Sequence, residues 1–215
     1  MARLTRARYA GALAALCEAD SDLAAVVEAF GAPPIWRRPP GFPTLTLLIL
    51  EQQVSLTSAK ATCERLTAAA GGGLAPDSVL ALPDEAVRAA GVSRQKTRAV
   101  RALAEAVGSG ALRLDALGRM DDAAVRAALT AVTGIGAWTA EIYLMMALGR
   151  PDVWPVGDLA LSVAAERVKR LPARPDAAAL DALGEAWRPF RAVAARVLWH
   201  YYLNTVRKRG GATAP

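Results

Sequence analysis

"AVTGIGAWTAEIY", residues 131–143, sets two glycines one residue apart directly ahead of a strongly apolar segment. Gly134 and Gly136 lack a Cβ, so they can take φ > 0 and let the backbone approach another surface closely. Upstream, Asp121 or Asp122 is placed to cap a helix that carries Val125 and Leu129 at helical spacing. Downstream, the pattern predicts a second helix over 137–148. The stretch therefore reads as helix, tight turn, helix. The first N–H groups of the second helix have no intrahelical acceptor and carry partial positive charge, which suits a phosphate. A turn of this kind grips a nucleic-acid backbone without reading sequence. A turn that only packs two helices has the same pattern, and spacing alone does not separate the two.

Working outward, helices account for nearly everything else. The 215 residues are 53% hydrophobic and crowded with alanine and leucine, while β-branched residues are scattered rather than alternating. A first helical region is predicted over 5–30, broken near Asp20 and Ser21. "GAPPIWRRPPGFP", residues 31–43, is too rich in proline and glycine to be helical throughout. Thr44 is a candidate cap for the next pair of helices, divided near residues 55–58 and stopped by the glycines at 71–73. A short helix follows Pro83, and Ser93 caps another that buries Val100, Leu103 and Val107. Further helices begin near Asp158 and within "RPFRAVAARVLWHYYLNTVRK", and "GGATAP" reads as a frayed tail. No strand or internal repeat is evident. The fold class is all-α.

Twenty-six Lys and Arg against 20 Asp and Glu give a net charge of +6, which suits a polyanionic partner. Cys17 and Cys63 have no ligand spacing and fit a reducing, cytoplasmic setting. Arg3, Arg6 and Arg8 ahead of an apolar stretch imitate a signal peptide. However, the helical period of Leu13, Leu16, Leu23, Val27 and Phe30 runs on through Glu18, Asp20 and Asp22. No apolar run reaches the ~18 residues that a membrane span needs.

The segment "LTAVTGIGAWTAEIYLMMALGRPDVWPVGDLAL" resembles the helix-hairpin-helix DNA glycosylase superfamily, whose signature is this hairpin, a Gly/Pro-rich loop and an aspartate. "LILEQQVS", "GVSRQKTRAVRALA" and "WRPFRAVAARVLWHYY" match further segments in the family's order, the last resembling the 3-methyladenine DNA glycosylase II branch. The resemblance covers roughly residues 40–202. It implies two helical lobes with the active site in the cleft between them. One lobe comprises residues 1–40 with 153–215; the other comprises 41–152 and carries the hairpin at about 121–148. The size departs from the branch, which often carries an N-terminal sheet domain for which this sequence has no room, so a compact helical form is expected. The partner it implies is double-stranded DNA with a damaged base, bound by a monomer.

Residue by residue, the resemblance makes Asp158 the catalytic carboxylate, although an aspartate opening a helix is also a good N-cap. Trp138 stands where strand-cutting members carry a Schiff-base lysine, which implies hydrolysis by water and no lyase step. Trp138 and Trp199, and more loosely Tyr143, fall where pocket aromatics lie, with core packing as the alternative. Trp36, Trp154 and Trp187 read as packing residues. Gln53 falls at the position of a wedge that fills the hole left by a flipped base, beside Gln52; a buried amide satisfying helix ends is the alternative. The amides of Gly134 and Gly136 are assigned to phosphate. The backbone carbonyls of Thr130, Val132 and Ile135 are assigned to a structural Na+ or K+. No iron–sulfur cluster or other cofactor is expected, because the four-cysteine set is missing. Arg94, Lys96 and Arg98 are further phosphate contacts or a solvated face. His200 reads as structural, and Glu141 is the rival carboxylate, with an ion pair as its alternative. The implied reaction removes alkylated purines such as 3-methyladenine and 7-methylguanine. Two rivals remain: a non-catalytic hairpin module that binds bent DNA, and a strand-cutting oxidised-base glycosylase.

Overall fold

The structure is a computed structural model that describes residues 3–210. Twelve α-helices follow in chain order among the described residues: α1 (Arg6–Ala19), α2 (Ser21–Phe30), α3 (Phe42–Glu51), α4 (Leu56–Ala69), α5 (Pro76–Leu80) and α6 (Asp84–Ala89), then α7 (Arg94–Gly108), α8 (Asp122–Thr130), α9 (Ala137–Ile142), α10 (Leu159–Val168), α11 (Ala177–Gly184) and α12 (Arg191–Gly210). No strand occurs among these residues, so the protein is all-helical. They form two compact units. One is Arg38–Leu148, and the other joins residues 3–37 to residues 149–210.

Local chemistry sets most helix boundaries. Thr5, Asp20, Ser55, Ser93, Asp121, Asp158 and Asp176 each accept a backbone N–H in the first turn of the helix that follows. Thr44 does not cap α3, which begins two residues earlier behind Gly41 with Pro43 in its first turn. The Thr44 hydroxyl instead donates to the Pro39 carbonyl. Two helices, α5 and α11, went unanticipated. The first has only 5 residues, and the alanine-rich second offers little contrast between its faces. The helix expected over 137–148 changes character: α9 passes at Tyr143 into a π-helical turn, Tyr143–Ala147.

In the first unit, Leu45, Leu48 and Ile49 of α3 pack toward α4 and α7 and are wholly buried with Leu66, Leu103 and Leu129. Val107, expected on this stripe, is half-buried. In the second unit, α12 packs against α10, α2 and α1 around Leu23, Leu161, Leu180, Val193 and Val197. Among the described residues no helix is long and apolar enough to cross a membrane. Of the tail expected to fray, Gly210 belongs to α12 and the rest lies outside the described residues.

Candidate functional site

The hairpin belongs to the first unit, and its two glycines have different work. Gly134 has φ +88°, and a Cβ built there would stand 2.2 Å from the Cβ of Ala99 on α7. Only glycine permits both that backbone and that approach. Gly136 has φ −93°, an extended conformation open to any residue, and a Cβ there would meet nothing within 4 Å. The expectation that both glycines use φ > 0 is thus corrected: the tight turn itself presses on Ala99 of α7, and Gly136 leaves an open backbone surface at the start of α9.

Gln52 ties the turn from outside. Its Nε2 donates to the Gly134 carbonyl and to Thr139 Oγ1, both at 3.0 Å. Through these two bonds the Gln52 amide braces the hairpin. Val132 and Ile135 are buried beneath the turn, and the Ile135 N–H donates to the Val132 carbonyl at 3.0 Å. Thr130 is exposed, its hydroxyl donating to the Arg126 carbonyl. Arg126 also grips Glu141 through both carboxylate oxygens, so the rival carboxylate is half of an ion pair. Trp138 is half-buried on the first turn of α9. Tyr143 is fully buried, its hydroxyl accepting the Gly41 N–H at 3.0 Å. Burial pushes its phenol pKa up. It is a core residue holding the entry to α3 where a pocket aromatic was expected.

Gln53 stands at the tip of the α3–α4 turn in the left-handed region, φ +58°. For a residue with a Cβ this costs ~1–2 kcal/mol. Neighbouring ties hold the turn. Arg38 makes a two-pronged pair with Glu51 at 2.8 Å on each prong, and Lys96 Nζ donates to the Leu50 carbonyl at 2.7 Å. Lys96 is therefore a brace for the end of α3, and burial lowers its ammonium pKa. Arg94 and Arg98 are exposed. Gln53 is exposed too, next to Val54 and Leu56 at 45% and 51% exposure, and a cavity of about 270 Å³ opens beside it.

Asp158 belongs to the second unit and opens α10. Its Oδ1 accepts the Leu161 N–H at 2.8 Å as a helix cap, and the Trp199 indole N–H at 3.0 Å. The cap and the candidate catalytic carboxylate are one group. Trp199, expected to stack on a base, also orients that carboxylate. Trp154 and Trp187 pack edge to face at 5.2 Å, with indole N–H groups on the Leu180 carbonyl and Asp20. His200 Nε2–H donates to the Phe30 carbonyl, a structural bond as expected. Among the described residues no three His, Cys, Asp or Glu side chains gather as a metal site. Trp36, expected from the sequence to be a packing residue like Trp154 and Trp187, lies edge-on to Trp199 with centroids 6.5 Å apart. Its only signal was an aromatic among prolines.

An all-helical fold with a glycine hairpin and, one loop later, a capped and braced aspartate defines the class of helical DNA-repair proteins. Comparison with known proteins gives the family: the chain belongs to the HhH-GPD superfamily of base excision DNA repair proteins, whose pattern matches residues 47–189. Its relatives place it in the 3-methyladenine glycosylase branch. The structure of 3-methyladenine DNA glycosylase from Schizosaccharomyces pombe, in complex with abasic DNA, superposes with a TM-score of 0.83 at 28% identity, over 88% of this chain and 95% of that one. DNA-3-methyladenine glycosidase from Bacillus halodurans superposes with a TM-score of 0.75 at 35% identity, over 92% and 91%. A probable bifunctional transcriptional activator/DNA repair enzyme from Mycobacterium tuberculosis is 34% identical over 206 residues, covering 86% of this chain. This chain spans 40% of that relative's length.

Proposed function

We propose that the protein is a monofunctional DNA glycosylase that flips an alkylated purine of the 3-methyladenine or 7-methylguanine type out of duplex DNA and hydrolyses its N-glycosidic bond. The observation that carries this reading is Asp158, held by the Leu161 N–H and the Trp199 indole. Breaking the bond to the base builds oxocarbenium character on the sugar. A carboxylate fixed by two donors stabilises that charge without reorganising and orients the attacking water. The leaving base already carries positive charge, so it departs with little acid catalysis, and the indoles of Trp138 and Trp199 attract it by stacking and cation–π contact. Trp138 offers no amine where a Schiff base would form, so the product is an intact strand with an abasic site.

The flip itself costs a few kcal/mol. Gln53, pre-set at a turn tip, is the residue assigned to fill the gap, and the exposed Val54 beside it adds apolar surface. The open backbone at Gly136, with that of Gly134, takes a phosphate. The carbonyls of Thr130, Val132 and Ile135, hard oxygens at and just beyond the negative end of α8, are the groups assigned to a monovalent cation that would neutralise a DNA phosphate.

The test is single-turnover release of 3-methyladenine from methylated duplex DNA by the native protein and by Asp158→Asn, with strand breaks counted before and after alkali. Asparagine keeps the cap, so the variant should fold normally and lose ~10²–10⁴-fold in rate. Strands should stay intact until alkali is added. Tight binding of that DNA with no release by the native protein would replace the enzyme with a binding module.

A further inference from the structure

Three carbonyl ties fix the segment between α2 and α3. Tyr9 Oη donates to the Pro33 carbonyl at 2.8 Å, and Arg196 Nε donates to the Ile35 carbonyl at 2.7 Å. Arg37 Nη2 donates to the Leu4 carbonyl. Arg196 is 1% exposed, and burial lowers its pKa to about 10. These ties bracket Trp36, which sits at φ +42°, a conformation that a residue with a Cβ adopts only when its surroundings force it.

What the strain accomplishes is the placement of one ring. The Trp36 indole stands at 67° to that of Trp199, centroids 6.5 Å apart, and Trp199 gives its N–H to Asp158. The packing tryptophans Trp154 and Trp187 are only 4% and 2% exposed. Trp199 is 8% exposed, whereas Trp36 is half-buried, with the His200 ring also 6.4 Å from it, so Trp36 is the more exposed ring of the corner. A carboxylate on the Trp199 N–H raises the electron density of that ring. Two rings near a right angle then offer a flat cation a stacking face and a wall.

We infer that Trp36 is a specificity residue: with Trp199 it forms an aromatic corner, one indole held by Asp158 and the other by a strained backbone, that favours a cationic alkylated purine over a neutral base. This rests on the glycosylase reading above and adds a residue and a selectivity to it.

The experiment compares native protein, Trp36→Leu and Trp36→Phe on duplexes carrying either 7-methylguanine, which is cationic, or hypoxanthine, which is neutral. Single-turnover rate and half-saturation are read separately, and thermal melting checks the fold. Leucine and phenylalanine share tryptophan's cost at positive φ, so backbone strain is held constant. Losing the π face should weaken 7-methylguanine excision roughly tenfold and leave hypoxanthine excision within about twofold. Phenylalanine should restore most of the loss. Equal losses on both bases, tracking a lower melting temperature, would make Trp36 structural and overturn the inference. An unchanged preference in Trp36→Leu would overturn it while leaving the glycosylase intact. Release of neither base by the native protein would remove both readings, and release of hypoxanthine alone would remove this one.

Discussion

Oδ1 of Asp158 accepts two hydrogen bonds of different kinds, from the Leu161 amide of its own helix and from the Trp199 indole of α12. The first fixes where α10 begins; the second fixes how the carboxylate is presented. Trp199→Phe removes only the second. The variant should melt with a loss of about 1 kcal/mol, while single-turnover release falls roughly tenfold with half-saturation little changed. Equal kinetics in both proteins would show that the indole only packs. The sequence made the Asp158 cap legible because an aspartate opening a helix is a good N-cap, while its proposed catalytic role came from the family resemblance. It left the placement of Trp36 illegible, because no period runs through "GAPPIWRRPP" and the ties on its segment reach to Leu4, Tyr9 and Arg196, all distant in sequence. Tyr143 misled for the opposite reason. It has the chemistry of a pocket aromatic, yet its burial and its bond to Gly41 are set by tertiary packing.

At the scale of elements, oxygen caps made helix starts readable at Ser55, Ser93 and Asp158. The change to π-helix at Tyr143 left no pattern, since an apolar run reads alike in either register. The hairpin was legible as a turn, but not which glycine does what, because Ala99 lies on a separate helix. Two substitutions separate the tasks. Gly134→Ala places a methyl group against Ala99 at an unfavourable φ, and should destabilise by about 3 kcal/mol or more as overpacking and strain add. Gly136→Ala meets open space, so it should leave the melting temperature within a degree or two while weakening duplex binding several-fold. Normal melting of Gly134→Ala would refute the packing role. Native DNA affinity in Gly136→Ala would refute the close approach of a phosphate.

At the scale of the whole chain, charge bears on stability and on the proposed binding of DNA. Burial raises the pKa of Asp20, but bonds from Trp187, Lys169 and the Leu23 N–H outweigh it, leaving that carboxyl below its usual 3.8. Bonds from Lys169 lead the lowering at Asp22. Burial works against the Lys169 ammonium, yet the two aspartates raise its pKa above 10.5. Depressed carboxyls contribute stability above their unfolded pKa and lose it as pH falls, and a raised ammonium loses its share as pH climbs through its folded value. Unfolding free energy should therefore be flat near neutrality and decline below about pH 4 and above about pH 10.5. Asp20→Asn keeps the α2 cap but not the charge, so it should cost about 2 kcal/mol at neutral pH and shallow the acid decline. An unchanged acid slope by denaturant titration would exclude Asp20 as its source. Binding to DNA draws on the same net charge of +6. Where four or five phosphates are neutralised, log affinity should fall against log salt with a slope of about −4. Removing the exposed Arg94 and Arg98 together should flatten that slope by about 2 and weaken damaged and undamaged duplexes alike, because phosphate contacts carry no sequence. Loss confined to damaged DNA would place those arginines at the lesion and remove them from the backbone grip.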